Sequence, residues 1–283
     1  MTAMTAVPIR AIPPAATQLT SLTLRTLRDR WRSTFGWGLA LVLMCVLQLS
    51  VYPSVARSAE NMQTFVNEWP EAFREAFNLD AYTTGAGFLN TELFSMMVPL
   101  VLIAVSVGSA SAATAGEEER GTADLLLSLP VTRGRVLLAK ILAAVIAVTL
   151  VSLVLFVTLA IGAPIADLDV SLSGLAAGTV MIALLALFFG AVALLIAAAT
   201  GNRPVALGVA IGLALGAFLL HALAPMADWL EPWQKASPFY WALGDNPLIN
   251  GVDWPMAGAL LAGTVVLATA ADVAYHRRDV SSR

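Results

Sequence analysis

Six apolar stretches, each about as long as a bilayer is thick, constrain this chain more than any other feature. A helix needs roughly 20 apolar residues to cross about 30 Å of hydrocarbon. Stretches of that length run from about Phe35 to Ala56, Leu93 to Ala115, Val136 to Ile161, Gly174 to Thr200, Val205 to Leu223 and Pro255 to Ala274. The rest of the chain cannot redress the balance: 58% of its 283 residues are hydrophobic and only 12% are charged, where a soluble domain carries about a quarter of its residues as charges. The expected fold is an all-α membrane protein with six transmembrane helices, because lipid is the solvent this composition suits.

Charge placement gives the expected orientation. All but three of the 16 basic residues fall before the first stretch, between the second and third or (Lys140) at the start of the third, between the fourth and fifth, or after the sixth. The exceptions are Arg57, Arg74 and Lys235. Such segregation marks the cytoplasmic side, so both termini are expected there, in a multi-pass protein of the cell (inner or plasma) membrane. Acidic residues lean the other way, with Glu60, Glu68, Glu71, Glu75, Asp167, Asp228 and Asp245 in outer loops. The first stretch is read as a retained anchor. Its apolar run exceeds the 7–15 residues of a signal core, and a long segment precedes it.

The loops carry their own patterns. Residues 1–16, with Pro8, Pro13 and Pro14, read as a tail. In Thr17–Ser33, Leu19, Leu22, Leu27 and Trp31 recur at helical spacing among Arg25, Arg28, Arg30 and Arg32, which predicts a basic amphipathic helix in the headgroup layer. The domain division is therefore 1–33, tail and interfacial helix; 34–275, six-span domain; and 276–283, tail. The long loop Arg57–Thr91 carries Trp69, Phe73 and Phe77. The last outer loop, Ala224–Trp254, carries Trp229, Trp233 and Trp241 and is cut into short pieces by Pro225, Pro232, Pro238 and Pro247. Together the two loops suit a lid over a cavity.

Ionisable residues inside spans are functional suspects, and here they are few. Asp272 near the end of the sixth span is expected to pair with Arg277 or water. His221 reads as a hydrogen-bonded structural residue. Two histidines far apart and the single Cys45 assemble no metal cluster and no intramolecular disulfide. The phosphate cradle Gly-x-x-x-x-Gly-Lys-Ser/Thr is absent from the sequence. The expectations are no metal, no catalytic residue and no cofactor held by this chain. Gly208, Gly212 and Gly216 make a smooth face on the fifth span, for packing within the chain or against a second copy. Gln48, Tyr52, Ser106 and Ser109 are weak candidates for lining a substrate path; interhelical hydrogen bonding is the competing reading.

The most informative stretch lies between the second and third spans. Three carboxylates and Arg120 emerge where the second span ends. Gly121 permits a turn, Thr122 can cap a short helix bearing Leu125, Leu126 and Leu129, Pro130 ends it, and Thr132 can cap the third span. A short charged helix with exposed leucines suits docking into a soluble partner.

The block EEERGTADLLLSLPVTRGRVLLAK, Glu117–Lys140, resembles the cytoplasmic signature of ABC-2 type permeases, and SPFYWALGDNPLING, Ser237–Gly251, is similar to the segment before the last span in bacterial members. The basic N-terminal helix also matches. The resemblance implies a short cytoplasmic coupling helix between spans two and three. In that role Glu117, Glu118, Glu119, Arg120, Gly121 and Thr122 would pass ATP-driven motion to the spans. It further implies a second permease copy, with Gly208, Gly212 and Gly216 at the pairing face, and a separate ATP-binding cassette subunit that binds ATP and Mg. The implied activity is export of an amphipathic or hydrophobic substrate. The alternatives are a membrane component of a cassette-driven assembly or signalling complex that moves no solute, and a plain membrane anchor. Lipid is an expected partner; nucleic acid is not.

Overall fold

A computed structural model describes residues 15–58, 84–119 and 132–277. The elements in chain order are α1 (Ala15–Arg57), α2 (Gly85–Leu89), a π-turn (Asn90–Phe94), α3 (Met97–Glu119), α4 (Arg133–Ile165), α5 (Leu172–Thr200), α6 (Arg203–Leu223), a 3₁₀ turn (Ala224–Met226), α7 (Glu231–Gln234), α8 (Pro238–Leu243), α9 (Pro247–Asn250) and α10 (Trp254–Arg277). No strand occurs among the described residues. Five helices, α1, α4, α5, α6 and α10, are each long and apolar enough to cross a bilayer. The pair formed by Gly85–Phe94 and Met97–Ala113 supplies a sixth span if taken as one, bent by 41°.

The basic amphipathic segment does not form an element of its own. It is the first part of α1, which runs unbroken for 43 residues, roughly 65 Å at 1.5 Å per residue. That is about twice the hydrocarbon thickness. The division placed after residue 33 thus falls inside one helix. Local contacts explain the continuity: Thr23 donates to the carbonyl of Ala139 at 3.3 Å and Arg30 to that of Gly108 at 3.2 Å, so this part of α1 is held by α4 and α3 in addition to any headgroup layer.

The second span also departs from the expected straight helix from Leu93. It begins earlier, with Thr84 capping α2 by accepting from the Gly87 amide at 3.1 Å. Pro99 lies in the first turn of α3. Having no N–H, it cannot bond the Ser95 carbonyl, and its ring crowds that carbonyl. The chain answers with a π-turn in which the Ser95 amide and hydroxyl both donate to the Asn90 carbonyl at 2.7 Å.

Helix α5 is the centre of the bundle, packed by α3, α10, α6 and α4, while α1 packs chiefly on α4. Its central place follows from small residues at the contacts. A Cβ on Gly174 would run into the Leu248 backbone carbonyl, and one on Gly190 into the Ser106 hydroxyl. At its end, Gly201 takes φ 64, closing the helix in the left-handed region. Asn202 then caps α6 by accepting from the Val205 amide at 3.1 Å. The outward surface is apolar, with Leu43, Leu47, Ile161, Leu213 and Val266 all exposed, as a lipid-facing wall requires.

The last loop follows its prolines. Each short helix from the 3₁₀ turn to α9 has proline in its first turn, where the missing N–H costs nothing. Phe239 is fully buried against Phe189 and Phe218, with ring centroids 6.0 and 5.6 Å apart. Trp229, Trp233 and Trp254 stay exposed, as interfacial anchors do. Residues 59–83 of the other long loop lie outside the described residues, and so does its half of the expected lid.

Candidate functional site

The chain has a basic end, where α1 starts, α3 ends, α4 starts, α5 gives way to α6, and α10 finishes. Helix α3 runs to Glu119, placing Glu117, Glu118 and Glu119 in its last turn. Arg120, Gly121 and Thr122, with the expected short helix bearing Leu125, Leu126 and Leu129, lie outside the described residues. Thr132 occupies the cap position of α4, as anticipated, but makes no side-chain cap hydrogen bond. The informative block is thus inserted between two long helices, and what it moves depends on how those helices are joined.

They are joined by a lysine that the sequence reading left at the edge of the span. Lys140 lies two turns into α4, is buried, and donates from Nζ to the Ala113 carbonyl of α3. Together with the Arg30 bond to Gly108, this fixes α1, α3 and α4 to one another just behind the block. A small cavity of about 110 Å³ between them is lined by Asp29, Arg30, Ser109 and Lys140. One signal was available: Lys140 falls four residues beyond Val136, where a span is already apolar. Lys140→Met is expected to change unfolding stability by less than about 1 kcal/mol, because the lost charge-assisted bond is offset by the lost burial of a charge. Thermal melting followed by size-exclusion chromatography checks this.

The four weak path candidates fall into two separated pairs. Ser106 is buried beneath Gly190 and, with Lys140 and Thr264, lines a cavity of about 50 Å³; Ser109 is nearby. Gln48 donates to Glu92 at 3.2 Å, and Tyr52 is buried with its ring 5.2 Å from Phe88. That second pair fastens α1 to the bent start of span two.

The glycine face resolves in one direction. A Cβ built on Gly208, Gly212 or Gly216 meets nothing within 4 Å, whereas Ala206, Ala210, Ala214 and Ala222 are the buried residues of α6. Packing within the chain uses the alanine stripe and leaves the glycines uncovered. Asp272, expected to pair with Arg277 or water, has the His276 ring one helical turn on at 3.4 Å. His221 accepts from Gln234 at its backbone carbonyl at 3.1 Å, and its Nδ1 makes no hydrogen bond among the described residues. No group of His, Cys, Asp and Glu able to hold a metal occurs among the described residues.

The sequence model described as ABC-2 family transporter protein matches residues 24–280. The chain belongs to the ABC-2 transporter family. As a member of that family it is the membrane permease of an ABC transporter. The match spans all six apolar stretches and the block between α3 and α4, so the family covers the whole bundle and not one motif. No curated protein matches the chain. In an ABC-2 permease the family implies an ATPase partner, which makes the basic end the part to read for coupling.

Proposed function

We propose that this chain forms the path for export of an amphipathic or hydrophobic substrate, driven by ATP and Mg bound on a separate cassette subunit that docks on Glu117–Thr122. One observation carries the reading. Three consecutive glutamates, Glu117–Glu119, stand in the last described turn of α3, an acidic run that a docked basic surface would complement. The Lys140 and Arg30 bonds behind it would pass a push on the block to α1, α3 and α4 together. Both termini are on the cytoplasmic side in this reading, in keeping with the basic residues at that end.

Two copies pair through the uncovered Gly208, Gly212 and Gly216 face, whose flatness allows close backbone approach. Gly212→Leu is expected to leave the melting behaviour of the single chain unchanged and to shift the assembled form from dimer to monomer by at least about tenfold in population, a change of about 1.4 kcal/mol. Cross-linking in native membranes reads the two forms, and an undiminished dimer places the pairing face elsewhere.

The function is tested by purifying the chain from its native membrane with whatever ATPase accompanies it and reconstituting both into vesicles. Amphipath-stimulated ATP hydrolysis with accumulation of the amphipath on the far side is expected. Repeated purification without a cassette subunit overturns the reading. Stimulated hydrolysis without movement of solute transfers the chain to the non-transporting class.

A further inference from the structure

Helices α1 and α4 run side by side in the same direction. Thr23 is bonded to Ala139, and a Cβ on Gly38 would stand 4.0 Å from Val154. The same offset of 116 residues holds at both points, so residues 25–32 of α1 stand level with residues 141–148 of α4. The two surfaces disagree at that depth. Arg25, Arg28 and Arg32 are exposed on α1, and Leu142, Val145 and Ile146 are exposed on α4.

A groove of about 540 Å³ follows this seam. Trp31, Phe35, Leu39 and Val42 line it from α1, and Leu150 and Val154 from α4. Thr34, the one hydroxyl in its wall, donates to the Arg30 carbonyl at 3.3 Å. From Leu27 to Val42 the groove extends roughly 22 Å at 1.5 Å per residue, longer than the roughly 15 Å of hydrocarbon in one leaflet. Beyond Val42 its walls continue onto Val46 of α1 and Val157 of α4, both exposed. The other end is cationic. Arg28 lines the groove, and Arg25 and Arg32 flank it on the same helix face, at spacings of three and four residues. The Arg32 guanidinium lies 5.8 Å from the centroid of the Trp31 ring, a contact that leaves its N–H edge for a bidentate acceptor. Asp29, the one acid in α1, lines the small cavity with Lys140 and not this groove.

We propose that the groove holds an anionic phospholipid, its phosphate on Arg28 and Arg32 and one acyl chain laid along Phe35, Leu39 and Val42 against α4. Charge complementarity selects this occupant. An acidic peptide satisfies the guanidinium groups but leaves the apolar wall of α4 at the same depth uncovered. A second copy packed here about a two-fold axis brings its own arginines against these. An amphiphile with a negative head meets both surfaces at once. Arginine at membrane depth is costly unless paired, and a phosphate drawn to the seam supplies the pair. Occupancy needs neither ATP nor a cassette subunit and stands apart from the export reading.

The test uses the full chain in phosphatidylcholine nanodiscs, without ATPase, and a phosphatidylglycerol carrying a diazirine on its acyl chain. Peptide mass spectrometry reads the label on residues 33–42 relative to residues 261–266 of the exposed α10 face. That ratio is expected to be about tenfold higher than with phosphatidylcholine bearing the same chain. Arg28→Gln with Arg32→Gln is expected to remove the preference and leave labelling by phosphatidylcholine unchanged. Gly38→Leu fills the groove without touching the charges and is expected to reduce labelling by both probes. Raising salt from about 0.1 M to about 1 M shortens the screening length from about 10 Å to about 3 Å and is expected to lower the wild-type preference at least about threefold. Equal ratios for the two probes on wild type, or a preference that survives the double arginine variant, overturns the proposal. A cross-link joining two copies through Phe35 that excludes both probes also overturns it. Should the variants aggregate, the salt series on wild type decides, and a preference that salt leaves unchanged overturns the proposal.

Discussion

Gly190→Leu is expected to stop the bundle from closing, with loss of the monodisperse protein on size-exclusion chromatography. Gly190 faces α3, and even a bare Cβ there overlaps the Ser106 hydroxyl and approaches the Ser106 carbonyl carbon at 3.5 Å. An alanine can be accommodated by turning the serine, but a leucine must displace the α3 backbone. Overpacking of this kind costs about 3 kcal/mol, a large part of the 5–15 kcal/mol by which a typical fold is stable. Ser106 lies on α3, and α3 against α5 is the most extensive helix contact in the structure, so the strain has nowhere to relax. A compensating pair sharpens the test. Gly190→Ser combined with Ser106→Gly exchanges the volumes and is expected to recover the monodisperse peak that Gly190→Ser alone loses. Normal behaviour of Gly190→Leu shows that α3 and α5 are not in this register.

Glu118→Ala with Arg120→Ala is expected to reduce amphipath-stimulated ATP hydrolysis by at least about tenfold while leaving membrane insertion and melting unchanged. The stability side follows from sequence: Glu118 and Arg120 lie in a run of charges beyond the apolar stretch, so removing them takes nothing from the apolar core of the bundle. The functional side follows from the proposed docking. Loss of one charge-assisted contact on each of two side chains removes about 1.5–3 kcal/mol apiece, which is at least tenfold in affinity. ATPase activity in vesicles, measured with and without amphipath, reads the loss. Full stimulation by the double variant removes the coupling role from this block.

Much of the architecture was legible because a bilayer is an exacting solvent. Five helices long and apolar enough to cross a bilayer cover five of the predicted apolar stretches, and the caps at Ser171, Asn202 and Gly201 set the ends of α5 and the start of α6. Prolines cut the last loop as anticipated, since a residue without an N–H is best placed in the first turn of a helix. The fusion of the N-terminal segment with α1 was not legible. Its basic amphipathic pattern suits a headgroup layer and a cluster of helix ends equally well. The bend in span two left only Pro99 as a trace; that Phe94 of the π-turn lies close beside Gly178 on another helix is a tertiary contact no local pattern shows.

The candidate site divides in the same way. The block at Glu117–Lys140 was visible as a run of charges where an apolar span stops, and the family match extends across it. Lys140 was seen but misjudged, because a sequence fixes how far a lysine lies along a helix and not which neighbour its ammonium reaches. The glycine stripe was equally ambiguous. Two stripes of small residues lie on α6, and only the packed bundle shows that alanines face inward and glycines outward.

Taken alone, the sequence determined that this chain lives in lipid, about how many times it crosses, which end is basic and to which family it belongs. Each of these rests on local hydrophobicity or on residues adjacent in the chain. Tertiary structure alone decided that Lys140 and Arg30 bind three helices together and that Gly208, Gly212 and Gly216 are uncovered. Those facts depend on distances between side chains far apart in sequence, which no periodicity encodes.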